Sequence, residues 1–237
     1  MLKEKLSYSF AKNLLSKPFE TIKHDLTKPF VPSPVMEAGN RNELVIMQGM
    51  DKVVPFTETA TRGKKFDEFR KDKIAADSFY AEHPYMICTG KECAETANLL
   101  KALSPEVAEI VEHSEYQVHL EFIDDGINVH GYTDWLGDAI YDLKISDPSP
   151  DKFSKQVINF SWDLQAYLYS KATDFKYEFK WIVISPEAPY TNRIYTANQK
   201  FIDAGRRKYE RAKVLFCQFN LDLPADIEQE LECPRWA

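Results

Sequence analysis

The sequence lacks any apolar run long enough to cross a bilayer: stretches such as Trp181 to Ser185 extend for a few residues, where about 20 are needed. Its opening, MLKEKLSYSF, has no continuous apolar segment of the secretory kind, so the chain is expected to stay in the cytoplasm with no membrane partner. Cysteine is sparse. Cys88, Cys93, Cys217 and Cys233 show no close C-x-x-C spacing, which argues against a zinc site or a disulfide framework and for free, partly buried thiols. The histidines, His24, His83, His113, His119 and His130, never fall into an H-x-x-x-H spacing, so structural or surface roles are expected of them rather than metal ligation. Internal repeats and low-complexity tracts are missing as well. So is an excess of positive charge: the formal net charge is −7, whereas phosphate contacts need Lys and Arg. That balance does not exclude a DNA enzyme, because a magnesium site needs clustered carboxylates and only a local basic rim.

What is present is a chain of 237 residues, 44% hydrophobic and 28% charged, able to bury a sizeable core. No composition break divides it, and one domain over 1–237 is expected: a mainly helical part over 1–114, a sheet and helix over 115–186, and a closing helix and tail over 187–237. A polar helix is expected around Ser9 to Ser16, then a stretch with Pro18, Pro29, Pro32 and Pro34 that resists regular helix. Apolar periodicity returns over Glu37 to Met50, a helix carrying Glu43. The charged segment Thr59 to Lys73 reads as a solvated loop leading into a helix. Two short helices are expected between Gly90 and His113, the second starting at Ser104-Pro105-Glu106.

The middle of the chain alternates polar with apolar. Glu115 to Ile123, Ile127 to Trp135 and Ala139 to Ile145, separated by turns at Asp124-Asp125-Gly126 and Gly137-Asp138, read as three strands of an antiparallel meander. Phe153, Val157, Phe160, Leu164 and Leu168 then recur at helical spacing within one amphipathic helix over Asp151 to Ala172. A strand over Tyr177 to Ser185 and a charged helix over Asn198 to Phe219 follow. This order predicts an α/β fold with a central mixed sheet, containing the antiparallel meander and flanked by helices.

Chemistry concentrates in GYTDWLGDAIYDLK, residues 131 to 144. A tight turn near Gly137 places the strand bearing Asp134 against the strand bearing Asp142, so the two carboxylates become cross-strand neighbours. Side chains alternate along a strand, so Asp142 and Lys144 share a face while Leu143 points into the core. Carboxylate-held magnesium supplies a hydroxide near neutral pH and counter-charge for a phosphorane, and an ammonium beside it can orient the attacking water. A D-x-K spacing is common by itself: Asp174-Phe175-Lys176 and Glu178-Phe179-Lys180 also fit. Only Asp142-Leu143-Lys144 follows an acidic residue on a paired strand, with Gly131 upstream of it. Gln165 and Tyr169, four apart, share one face of the following helix.

This succession, an aspartate on a strand, seven residues, D-x-K, then about twenty residues to a helical Q-x-x-x-Y, resembles the RecB-like branch of the PD-(D/E)XK nuclease superfamily, and within it the RecE or exonuclease VIII type. LSYSFAKNLLSKPFETIK is similar to that family's opening helix, SPVMEAGNRNELVI to its first motif, TATRGKKFDEF to its Arg-Gly-Lys segment, and CPRWA to its closing Pro-x-Trp-Ala. Glu43 stands where many relatives carry histidine, an acidic choice resembling lambda-type exonucleases. The resemblance implies a restriction-endonuclease-like core and a magnesium-dependent exodeoxyribonuclease, with manganese able to substitute. Asp134, Asp142 and Lys144 are then catalytic, and Glu43, Asp134, Asp142 and the Leu143 carbonyl ligate the metal. Gln165, Tyr169 and Arg62 contact DNA. It further implies 5′ to 3′ digestion of linear double-stranded DNA in a bacterial host or its phage, 3′ single strands passed to an annealing protein in recombination, and a ring-shaped homo-oligomer. Iron–sulfur relatives place their cysteines differently, so no cluster is expected.

Lys64, Lys65, Arg206, Arg207, Lys208 and Arg211 are further candidates to grip phosphates. Two rival readings stand beside the exonuclease: a structure-selective repair nuclease or endonuclease on the same core, and a noncatalytic DNA-binding module. Keeping Asp134, Asp142, Lys144, Gln165 and Tyr169 together counts against the module, because paired buried carboxylates are costly without a use.

Overall fold

A computed structural model of the chain describes residues 4–58 and 61–220. The closing CPRWA, Cys233, and Thr59 and Ala60 of the charged segment lie outside the described residues. The chain begins with β1 (Lys5–Ser7), α1 (Tyr8–Ser16), α2 (Phe19–Leu26) and α3 (Pro34–Gln48). Ser7 caps α1 by accepting from the Phe10 amide, and Ser33 caps α3 by accepting from that of Met36, with Pro34 in the first turn where its missing N–H costs nothing. The expectation that the proline stretch excludes helix therefore fails at both ends: Pro18 stands immediately ahead of α2, and Pro34 opens α3.

Next come β2 (Val54–Phe56), α4 (Lys64–Ala76), α5 (Ser78–Glu82), β3 (Ile87–Thr89), α6 (Gly90–Lys101) and α7 (Pro105–Glu112). Thr89 and Glu92 form a reciprocal capping box on α6, and Ser104 caps α7, as the Ser-Pro-Glu signal predicts. The sheet strands are β4 (Glu115–Tyr116), β5 (His119–Asp124), β6 (Ile127–Tyr132), β7 (Trp135–Leu136) and β8 (Ile140–Ile145). Then α8 (Pro150–Asn159) and α9 (Trp162–Ala172) lead to β9 (Phe179–Ile184), β10 (Asn192–Thr196) and α10 (Gln199–Asn220).

The expected meander is divided between two sheets. A five-stranded mixed sheet runs β10-β9-β8-β7-β4, and a three-stranded one runs β1-β6-β5. The long hairpin crosses between them without losing register: Tyr116 faces Trp135 on one side of the crossing and His119 faces Tyr132 on the other. At the crossing Gln117 takes a positive φ of 53°, and its N–H donates to the Asp134 carbonyl at 3.0 Å. Strands that bend in this way can serve two sheets, and because the alternation continues through the bend, the pattern alone reads as one strand.

The single helix expected over Asp151 to Ala172 is also two. Ser161 adopts the left-handed conformation (φ 58°, ψ 31°) between α8 and α9. Phe153, Val157, Leu164 and Leu168 are buried on both sides of this break, so the helical spacing carries across it unchanged, whereas Phe160 at the break is 46% exposed.

Helices cover both faces of the five-stranded sheet. Phe179, Trp181 and Val183 join α1, α9 and α10 in one core, while Ile182 and Ile184 pack with Ile46 of α3, Leu99 of α6 and Val107 of α7. The near-continuous apolar run of β9 follows from this double coverage. No helix among the described residues is long and apolar enough to cross a membrane.

One charged knot ties the hairpin tip to this core. Asp124 accepts from the Tyr209 hydroxyl at 2.8 Å and pairs with Lys171 and Lys213 at 2.9 Å each. Burial alone would raise its carboxyl, but the bonds from Lys213, Lys171 and Tyr209 outweigh it and hold the pKa at about 2. A depressed carboxyl stabilises the fold above its unfolded value and loses that contribution as pH falls between about 4 and 2. Asp124→Asn is therefore expected to lose about 2 kcal/mol at pH 7 and to converge on the parent near pH 2. Urea unfolding across this range checks it; a pH-independent gap would contradict the assignment.

Candidate active site

β8 and α9 build the site. Asp142 and Lys144 stand on the β8 face turned toward α9, while Tyr141, Leu143 and Ile145 join the core beneath α3, α6 and α7. From α9, Gln165 donates through Nε2 to Asp142 Oδ1 at 2.7 Å and accepts from Lys144 Nζ at 3.4 Å. The Lys144 ammonium lies directly against Asp142 Oδ2 and 5.2 Å from the Trp162 ring centroid. Gln165 thus bonds both members of the D-x-K pair, a contact that its spacing from Tyr169 does not announce.

The β7–β8 register pairs Trp135 with Tyr141 and Leu136 with Ile140, and extended by one residue beyond β7 it brings Asp134 to the level of Asp142. Asp134 Oδ2 accepts from the Leu143 amide at 2.6 Å, clamping it to the strand that bears Asp142. Burial, then the charges of Asp142 and Glu43, push the Asp134 carboxyl well above the usual range. Glu43, on α3, accepts from Gln117 Nε2 at 2.6 Å; burial raises its carboxyl although bonds from Gln117 and Tyr116 oppose this, and Asp142 adds its charge.

These groups line a cleft of about 930 Å³ whose walls come from α1, α3, α6 and α9. Among the described residues no three Asp, Glu, His or Cys side chains form a ready-made metal cage. The donor set nonetheless fits a magnesium ion, which takes one or two carboxylates and keeps several waters. Asp142 Oδ2 is buried with the Lys144 ammonium as its close contact and no other donor among the described residues, and burial with the charges of Asp142 and Glu43 raises the Asp134 carboxyl despite the offset from Lys144 and the Leu143 amide.

Tyr169 packs its ring against Gly131; a Cβ there would come within 2.5 Å of Tyr169 Cε1. Gly131→Ala is expected to cost about 1–3 kcal/mol by overpacking, and far less in a Tyr169→Ala background. Thermal unfolding of the four proteins checks the coupling, and equal costs in both backgrounds would refute it.

Arg62 lies apart from the cleft lining. Its guanidinium is taken up by Glu37 of α3 and by Glu92 of α6, the latter at 2.8 Å, and Glu37 also receives Arg70. Lys208 is likewise engaged within the fold, donating to the Ile158 carbonyl, Ser161 Oγ and Asp163 Oδ1. Lys64 and Lys65 pair loosely with Glu68 and Glu58, and Arg206, Arg207 and Arg211 are exposed on α10. Tyr8, Lys12 and Trp162 line the cleft without having been singled out by any spacing in the sequence. Tyr8 and Lys12 arrive from more than a hundred residues upstream, so only the packing of α1 onto α9 and α10 reveals them.

No family model and no curated protein sequence matches the chain. Among solved structures it is similar to an inferred exonuclease from Eubacterium rectale, with a TM-score of 0.66 at 13% identity, over 98% of this chain and 90% of that one. At this identity the likeness establishes a shared fold.

Proposed function

We propose that the chain is a metal-dependent nuclease of the PD-(D/E)XK type that removes nucleotides from the ends of linear double-stranded DNA. The observation that carries the reading is the meeting of Asp134, Asp142, Lys144, Gln165 and Tyr169 at one cleft floor. The fold shared with an inferred exonuclease supports it. Asp134 and Asp142, with the Leu143 carbonyl and Glu43 directly or through water, would hold magnesium, or manganese in its place. Such a cation supplies a hydroxide near neutral pH and charge for the phosphorane. Lys144 orients the attacking water and offsets the negative charge that develops on the phosphate. Gln165 fixes Asp142 and Lys144 relative to one another, and Gln165 and Tyr169 would contact the DNA strand at the cleft floor. Digestion from 5′ to 3′, a ring of several copies around the duplex and delivery of 3′ single strands to an annealing protein in recombination complete the proposal.

Linear duplex labelled at the 5′ or 3′ end, beside a covalently closed circle, tests it with and without magnesium. Magnesium-dependent release of the 5′ label with the circle spared is expected. Cleavage of the circle would favour a structure-selective endonuclease, and binding without cleavage a noncatalytic module. A mass of one protomer on DNA would dismiss the ring.

A further inference from the structure

The break between α8 and α9 has features that packing alone does not require. A non-glycine residue in the left-handed region is strained, and such strain gathers at functional sites. Here it is clamped from two sides: the Tyr8 hydroxyl donates to the Phe160 carbonyl at 2.9 Å, while Lys208 Nζ reaches the Ile158 carbonyl at 3.0 Å and Asp163 Oδ1 at 2.7 Å. The result is an exposed phenyl ring beside the cleft. Phe160 and Trp162 lie 5.2 Å apart between centroids with their planes 37° from parallel, and Trp162 lines the cleft next to Lys144. Lys12 also lines the cleft and lies 5.7 Å over the Phe160 ring. Among the described residues no carboxylate pairs with Lys12, which instead feels the repulsion of the Lys144 and Lys208 ammonium groups. Flat apolar faces beside an uncompensated cation suit a ligand that is itself a flat ring linked to an anion.

We propose that Phe160 and Trp162 form a stacking platform for an unpaired nucleobase of the DNA strand entering the cleft, with Lys12 holding a phosphate next to that base. The proposal rests on the nuclease reading for its substrate, and it deepens that reading by assigning the base contact. Stacking on an aromatic side chain is tolerant of sequence because every base presents a π face, as an enzyme that consumes a strand end requires.

The test uses the full chain in EDTA, so that binding is measured without cleavage. Fluorescence anisotropy of a short labelled oligothymidylate compares the parent, Phe160→Ala, Phe160→Leu and Lys12→Gln, with thermal unfolding as the control for folding. Phe160→Ala is expected to weaken binding roughly tenfold, and Phe160→Leu to lose most of the same, since it keeps apolar area but no ring. Lys12→Gln should weaken binding and flatten its salt dependence by about one phosphate contact. A strand with abasic sites in place of its bases should bind the parent at least as poorly as Phe160→Ala binds the intact strand, and its penalty relative to the intact strand should be smaller in the variant, which keeps only Trp162, than in the parent. Unchanged affinity in Phe160→Ala, or an abasic penalty equal in both proteins, overturns the platform. Release of nucleotides by the parent in magnesium tests the nuclease reading separately, so the two failures are distinguishable.

Discussion

Asp142→Asn and Lys144→Ala should each lower magnesium-dependent nucleotide release from linear duplex DNA by about 10³-fold or more, yet move stability in opposite directions. Asp142 is 1% exposed and shares its surroundings with Asp134 and Glu43, whose carboxyls are both raised by burial and by its charge. Removing that negative charge relieves repulsion. The asparagine can still meet Gln165, so Asp142→Asn is expected to melt at or above the parent temperature in EDTA. Lys144 is the cation among these carboxylates, and its loss leaves them uncompensated. Lys144→Ala should therefore melt lower, with the difference shrinking when magnesium is added. Differential scanning calorimetry in EDTA and in magnesium, beside the digestion assay, decides this. Full activity in either variant would remove the catalytic assignment, and a higher melting temperature for Lys144→Ala would contradict the electrostatic account.

The candidate site was partly legible from sequence. Two acidic residues flanking a tight turn, followed by a lysine two positions on, reduce to strand arithmetic, and the β7–β8 register repeats that arithmetic in space. Gln165 and Tyr169 were legible for the same reason, because a helix puts residues four apart on one face. Glu43 was placed on the correct helix, and its bond to Gln117 depends on the bend that carries the hairpin between sheets, where alternation of side chains is uninformative. The ion-pair partners of Arg62 were not legible. Its destination is set by Glu37, buried on a helix 25 residues earlier, which no charge pattern near Arg62 announces. The pairing of β1 with β6 and of β2 with β3 was equally hidden, since strands of three residues carry too little periodicity to be read.

Gly205 supplies the second large effect, at a distance from the chemistry. It lies in α10 where that helix crosses α9, and a Cβ there would stand 2.1 Å from the Asp163 carbonyl oxygen and 2.7 Å from Tyr167 Cβ. The first obstruction is backbone, which no rotamer change can clear, so α9 and α10 must separate. Overpacking of this kind costs about 1–3 kcal/mol or more. The damage should extend to activity, because Asp163 is two residues before Gln165 on α9 and a displacement of about 1 Å at a positioning residue can cost roughly 10²-fold. Gly205→Ala is thus expected to melt several degrees lower and to lose about 10²-fold in turnover, with Gln165 no longer held at both Asp142 and Lys144. The same substitution at Gly39 provides the contrast: nothing lies within 4 Å of a Cβ built there, the residue sits inside α3, and alanine favours helix over glycine. Gly39→Ala should gain about 0.4–1 kcal/mol in urea unfolding while Gly205→Ala loses more than that. If both substitutions shift stability in the same direction, close approach of α10 to α9 is not what the glycine serves.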